Sequence, residues 1–441
     1  MNLDQLLTRF RSSGCDRILT KPLSANDNSK NQIYFGPDFQ AINLLPHRPV
    51  CPDGRRFKAP LDIQWLDDHW NESPAPHAQL ILYPQYPEVR FSGFLKGSSG
   101  APSSLLTSRM PGRFLVLGIG SSSRIHAYAC GPDSPVAREL SELIESGRTT
   151  RLGVFEELPT NASASDPFDS LLLALGLLHR KGWVGGQILR ADGRVNSTNA
   201  ANACGYTLEA QLGISANSVA EPDFMGWELK SLTVKRLGSV PSGHRMTLMT
   251  PETKAGFYRD HGVLEFVRRY GYPDKRGIKD RLNFGGQFRV GQREPNTGLT
   301  LALDGFSHNG RFWEIHDPSG GLTLQDDDGN IAAMWPFAEL ISHWNRKHAR
   351  AAYVPAERRI VDGRRQFRFD RQVFLGVQTD FLRFLGSMQD GKIVYDPGIK
   401  VEYNSQRKPN TKRRSQFRTR FDDLDRLYTT FRVEPVRLPA T

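Results

Sequence analysis

Short runs of alternating apolar and polar residues, broken by proline and glycine, fill the first third of this chain. A stripe formed by Leu3, Leu6, Leu7 and Phe10 predicts a helix over residues 1–20, and the polar stretch Lys21 to Lys30 predicts a loop. Strands are expected at Ala78–Tyr83, Val89–Phe94, Arg113–Leu117 and Arg124–Tyr128. Pro135 to Glu145 reads as a helix, with Ser134 as its N-cap and Gly147 just past its end. Gly118-Ile119-Gly120-Ser121-Ser122-Ser123 lacks the third glycine and the following helix of a dinucleotide fingerprint, so it reads as a hairpin loop. Tyr83, Tyr86, Phe91 and Phe94, interleaved with Arg90 and Lys96, read as core aromatics; base-stacking is the competing reading.

After Thr160–Pro167 (TNASASDP) the period changes to that of helices. Asp166 opens a helix from Pro167 to Lys181, with an apolar stripe of Leu171, Leu172, Leu175 and Leu178. Asn196-Ser197-Thr198 is expected to start a second helical stretch that carries Glu209 and stops at Gly213. Strands follow at Glu228–Lys230, Met246–Met249, Leu299–Leu303, Phe312–His316 and Leu322–Leu324, with a helix at Phe257–Tyr270. Asp326-Asp327-Asp328-Gly329 has neither the spaced ligands nor the closing glutamate of a calcium loop and reads as a hairpin turn.

Length and linker composition together predict a separate, strand-rich α+β domain over 1–158, a linker over 159–166 and an α/β domain over 167–436. The chain carries a formal charge of +11, and 43 of its 58 basic residues are arginine. Arginine forks onto phosphate and stacks on bases, so this bias suits a nucleic-acid partner. The densest basic stretch contains Arg407, Lys408, Lys412, Arg413 and Arg414, with Arg418 just beyond, and these are the candidate DNA-contacting residues. Four scattered cysteines without a CxxC pair argue against a zinc site or disulfide framework and for a reducing cytosol. No apolar run approaches a membrane span and the N-terminus lacks a secretory core, so a cytoplasmic protein is expected.

The chemistry concentrates between Gly205 and Lys230. In a strand, Glu228 and Lys230 at i and i+2 point to the same side, while Trp227, Leu229 and Thr233 fill the other. Gly226 allows a sharp turn that would swing Asp223 back beside Glu228. Two carboxylates can hold Mg²⁺ through hard oxygen ligands, and the Lys230 amine can orient water or meet developing charge. Acid-x-Lys recurs at Glu252-x-Lys254 and Asp390-x-Lys392, but both sit in turn-forming sequence. An exposed ion pair on a solvated strand face is the competing reading for Glu228 and Lys230.

Gly205-Tyr206-Thr207-Leu208-Glu209, Leu212-Gly213-Ile214, Asn217, Pro222-Asp223 and Trp227-Glu228-Leu229-Lys230 together resemble the MvaI/BcnI restriction endonuclease family. That family is similar to the nickase MutH, within the PD-(D/E)xK nucleases. Gln416-Phe417-Arg418 and Leu424–Tyr428 resemble the family's closing segment. The resemblance implies a PD-(D/E)xK restriction-endonuclease-like core, a mixed sheet flanked by helices, in the second domain. It also implies hydrolysis of double-stranded DNA with Mg²⁺, Mn²⁺ serving as a substitute. Carried over residue by residue, the site falls on Glu209, Asp223, Glu228 and Lys230, with Asp223 and Glu228 as metal ligands. Restriction or another anti-phage defence is the implied setting. Two alternatives stand beside it: a nickase recruited by a protein partner through the N-terminal domain, and a silent DNA-binding protein.

Overall fold

A computed structural model describes the chain except residues 25–31, 38, 86–87, 160–166, 217–221, 309–311, 405, 407 and 439–441, and the side chains of 345–347. Most of the expected loop at 21–30, all but the first residue of the expected linker, and Tyr86, Asp166, Asn217 and Arg407 lie outside the described residues. The chain divides into two compact units, Met1–Ala164 with Glu314–Pro318, and Ser165–Trp313 with Ser319–Thr441.

In the first unit the N-terminal helix is shorter than its stripe suggested. It spans Leu3–Ser12, opened by an Asn2/Gln5 capping box. Gly14 then takes a positive φ of 82°, and Cys15–Leu23 becomes a strand with Ile18 and Leu19 buried. Seven strands form one sheet, in the spatial order Thr150–Leu152, Phe155–Glu157, Cys15–Leu23, Arg113–Gly120, Arg124–Cys130, Asp62–Leu66 and Glu72–Pro74. Leu3, Leu6 and Phe10 meet Val136, Ala137 and Leu140 of the Pro135–Glu145 helix over this sheet. The Gly118-Ile119-Gly120 run ends a strand and the next begins at Arg124, as the hairpin reading required. Its glycines serve packing: a Cβ at Gly120 would lie 2.0 Å from the Gly14 carbonyl oxygen. Five further strands form a second, antiparallel sheet; Phe91 on its Glu88–Ser92 strand and Phe94 just past that strand are buried and stacked on each other at 4.7 Å. Both are core aromatics.

The second unit is built on a mixed sheet. Its strands are β1 (Val184–Gly185), β2 (Glu228–Val234), β3 (Arg350–Val361), β4 (Arg364–Phe369), β5 (Gln372–Thr379) and β6 (Tyr428–Pro435). β2 runs parallel to β3, with Glu228 opposite Ala351 and Val234 opposite Glu357. β4 and β5 pair antiparallel with β3, interrupted at Asp370, whose N–H donates to the Pro355 carbonyl. β1 closes one end on β4 and β6 lies on β5. Helices α1 (Pro167–Arg180) and α2 (Ala203–Gln211) supply Leu171, Leu172, Leu175, Leu178, Ala203, Cys204 and Leu208 to the core. That core meets Leu229, Ala352, Val354, Ala356 and Phe367, which alternation places on one face of the sheet.

Two expectations fail here. Val195–Ser197 is a strand paired with Gln187–Leu189, so the second helix begins only at Ala203. Short β-branched and polar residues around Asn196 hold a hairpin better than a first helical turn. The helix at Phe257–Tyr270 exists but is interrupted at Gly262, where φ is 80°. The Asp326–Gly329 segment is the expected turn, with the Asp326 carboxylate accepting the Asp328 and Asn330 N–H groups.

Candidate active site

The site begins with a two-residue reversal. Phe224 and Trp227 exchange both backbone hydrogen bonds, at 2.9 and 2.8 Å, across Met225 (φ 45°) and Gly226 (φ 84°). Positive φ at both central positions defines the turn whose twist matches a strand pair. The reversal brings Asp223 alongside β2, where its Oδ2 accepts the Leu229 N–H at 2.8 Å. Gly226 thus does what its position in the sequence suggested.

On β2 the alternation also holds. Trp227 and Leu229 are buried with the core, and Glu228 and Lys230 project from the opposite face. Lys230 Nζ donates to Glu228 Oε1 at 2.5 Å. The Glu228 side chain is only 3% exposed and that of Lys230 19%. An ion pair on a solvated strand would cost little to form or lose, whereas a buried carboxylate demands compensation by charge and hydrogen bonds. Glu228 is therefore not a surface residue.

Behind the pair lies a run of buried hydroxyl and imidazole groups. Tyr353 stands opposite Lys230 in the β2–β3 register, and its hydroxyl meets that of Tyr428 at 2.8 Å. Tyr428 Oη lies 3.5 Å from His348 Nδ1, and His348 Nε2 is 2.9 Å from the Leu248 carbonyl oxygen. Burial drives both phenols well above their ordinary pKa, and the negative charge of Glu228 pushes the same way. Both stay neutral at any working pH and can donate. Gly376 lets the Tyr428 ring approach, since a Cβ there would come within 2.5 Å of it.

Among the described residues no cluster of three or more His, Cys, Asp or Glu side chains could hold a metal. The carboxylates that could hold a metal here are those of Asp223 and Glu228. Asp223 Oδ2 accepts the Leu229 N–H, and Glu228 Oε1 accepts from Lys230 Nζ. Two hard carboxylates suit Mg²⁺, which is held by one or two such groups and keeps several waters.

With this geometry in hand, a family model described as the MvaI/BcnI restriction endonuclease family matches residues 173–428, more than half of the chain. The chain belongs to the MvaI/BcnI restriction endonuclease family. By class it is therefore a nuclease acting on DNA. A solved structure of restriction endonuclease MvaI with its cognate DNA substrate is similar at 17% identity and a TM-score of 0.46, covering 62% of this chain and 100% of that one. MvaI in the absence of DNA is similar at 16% identity and a TM-score of 0.34, covering 63% and 100%. A search of curated proteins finds no match.

The other residues singled out in this MvaI/BcnI-family chain are placed less centrally. Glu209 is half-buried near the end of α2, a helix whose Gly205 lies against Ser231 on the core-facing side of β2. Lys408, Lys412, Arg413 and Arg414 are exposed around the strand Pro409–Lys412. Arg418 is engaged within the protein, donating to Asp396 Oδ2 at 2.8 Å and to the Arg245 carbonyl. Motif reading singled out neither Tyr353 nor His348 and reached Tyr428 only as the last residue of the Leu424–Tyr428 resemblance, because packing alone brings Tyr428 to the segment that carries His348 and Tyr353. The β3–β4 hairpin was also missed, although Val361-Asp362-Gly363-Arg364 announces it: Asp-Gly between alternating runs is the strongest short hairpin signal.

Proposed function

We propose that this chain is a Mg²⁺-dependent endodeoxyribonuclease that hydrolyses phosphodiester bonds of double-stranded DNA in the bacterial cytosol, as part of restriction or anti-phage defence. Residues 167–436 are the nuclease domain, with a PD-(D/E)xK core, and residues 1–158 an accessory domain that reads DNA, regulates cutting or binds a protein partner. The observation that supports this reading is the Asp223 turn set against a buried Glu228–Lys230 pair, two acids and an amine within one reversal and one strand.

When bound by Asp223 and Glu228, Mg²⁺ would neutralise phosphate charge and acidify a water molecule. Glu228 holds the Lys230 ammonium beside the carboxylates, where it orients the attacking water or meets charge that builds on the phosphate. Tyr353 and Tyr428 back this site with neutral hydroxyls. Glu209 supports the metal or the water from α2. One such site cuts one strand, so a double-strand break needs two successive nicks or a second copy.

Supercoiled plasmid incubated with Mg²⁺ tests the reading. Nicked or linear product from the wild type, and none from Lys230→Ala, is the expected result. Plasmid left intact by the wild type in both Mg²⁺ and Mn²⁺ refutes it.

A further inference from the structure

The β3–β4 hairpin carries an arrangement unconnected with the core. Its loop is a second reversal with two positive φ values, Asp362 at 49° and Gly363 at 72°. Asn199 fixes it from outside: its amide donates to the Gly363 carbonyl at 3.0 Å and accepts the Arg365 N–H at 2.9 Å. Arg365 also donates to the Ala200 carbonyl. The ribbon is therefore braced before anything binds.

Cross-strand register sorts its side chains. Glu357 faces Arg368, Arg359 faces Gln366 and Val361 faces Arg364 on one side, while Phe367 enters the core on the other. Trp183, just before β1, lies beneath two of these arginines. The guanidinium of Arg359 is 4.3 Å from its ring centroid and that of Arg368 is 5.3 Å away. Arg368 is partly neutralised by Glu357 at 2.6 Å. Arg359 bonds only to Gln366, a neutral partner, at 2.8 Å, and among the described residues neither it nor the exposed Arg364 has a carboxylate partner. Gathering like charges costs energy unless an anion meets them. A guanidinium lying flat on indole keeps its N–H edge free for a forked contact, the geometry that phosphate accepts.

Odd-numbered residues of β3 share the side of the sheet from which Glu228 and Lys230 project, given the unbroken β2–β3 register. Arg359 lies six residues beyond Tyr353, about 20 Å along the strand. That is about six base pairs of duplex at about 3.4 Å per step.

We propose that Trp183, Arg359, Arg368 and Arg364 form a phosphate-binding rail for duplex DNA, on the face that carries Glu228 and Lys230. The inference rests on the nuclease reading for its choice of partner. Polyanionic protein is the competing occupant that the test separates.

Fluorescence anisotropy of a labelled DNA duplex in EDTA, titrated against NaCl, reads the rail without cleavage. Each lost phosphate contact flattens the slope of log K against log[salt] by about 0.9, so Arg359→Ala/Arg364→Ala should lower it by about 1.8. Trp183→Leu should weaken binding about 5- to 10-fold by freeing the stacked guanidinium groups. Arg364→Glu alone changes only an exposed side chain and should also weaken binding, which guards against a fold defect in the double variant. Arg180→Ala/Lys181→Ala, exposed at the end of α1 on the core-facing side of the sheet, should leave the slope unchanged. An unchanged slope in the rail variants, an equal fall in that control pair, or poly-glutamate binding that falls as much as DNA binding overturns the rail. Wild-type protein that cuts plasmid while the rail variants keep their slope sinks the rail alone. Binding through these arginines without cutting in any metal sinks the nuclease reading and leaves the rail standing.

Discussion

Asp223 has two jobs that one substitution can separate. Its carboxylate ties the turn to Leu229 N–H, and its charge is proposed to hold Mg²⁺. An amide oxygen still accepts that hydrogen bond but carries no charge. Asp223→Asn should leave thermal stability close to wild type while plasmid cleavage falls about a hundredfold or more; equal loss of both would reduce the residue to a structural tie. Two positions away, Met225 sits at φ 45° without being glycine. Asparagine tolerates that region better, so Met225→Asn should stabilise the fold by up to about 1 kcal/mol, read in urea titration. Gly226 was legible as a turn residue from sequence because few other residues adopt its φ cheaply. Burial of Glu228 was not, since the acid-x-Lys spacing looks the same on a wet strand as on a sealed one.

At the scale of elements, two glycines mark close approaches that local propensity would argue against. Gly176 lies inside α1, where alanine is ordinarily better by about 1 kcal/mol. Its Cβ, however, would lie 1.9 Å from the Arg437 carbonyl oxygen, in a segment pinned by Arg437 N–H to the Leu172 carbonyl at 3.0 Å. Gly176→Ala should therefore destabilise by about 1–3 kcal/mol in urea titration, against the helix-propensity trend. Gly376→Ala should displace the Tyr428 ring and disturb the Tyr353–Tyr428 contact, read as a shift in tyrosine near-ultraviolet dichroism. Apolar periodicity located α1 and its stripe because period and burial agree there. The polar run Asn196-Ser197-Thr198 misplaced the start of α2, because a short hairpin and a helix's first turn draw on the same polar residues.

At the scale of the whole molecule, one buried group ties stability to pH. Burial lowers the pKa of His126 below its ordinary value, while Glu72, 4.0 Å away, pulls the other way. The folded state thus binds a proton less readily than the unfolded state. Its neutral form is fully accommodated above the unfolded pKa, and stability should fall as pH drops through about 6.5. Thermal melts between pH 7.5 and 5.5 should show this decline, flattened in His126→Phe; parallel curves would exclude His126 as the cause. The basic balance, the strand-rich first half, the α1 stripe and the order Glu209, Asp223, Glu228, Lys230 were all fixed by sequence, because each depends on residue type and local spacing. Tertiary structure alone decided that Glu228 is buried, that Tyr353, Tyr428 and His348 stand behind it, and that Trp183 meets Arg359 and Arg368. Those facts depend on which strands pair and in which register, and pairing brings together residues that no local pattern connects.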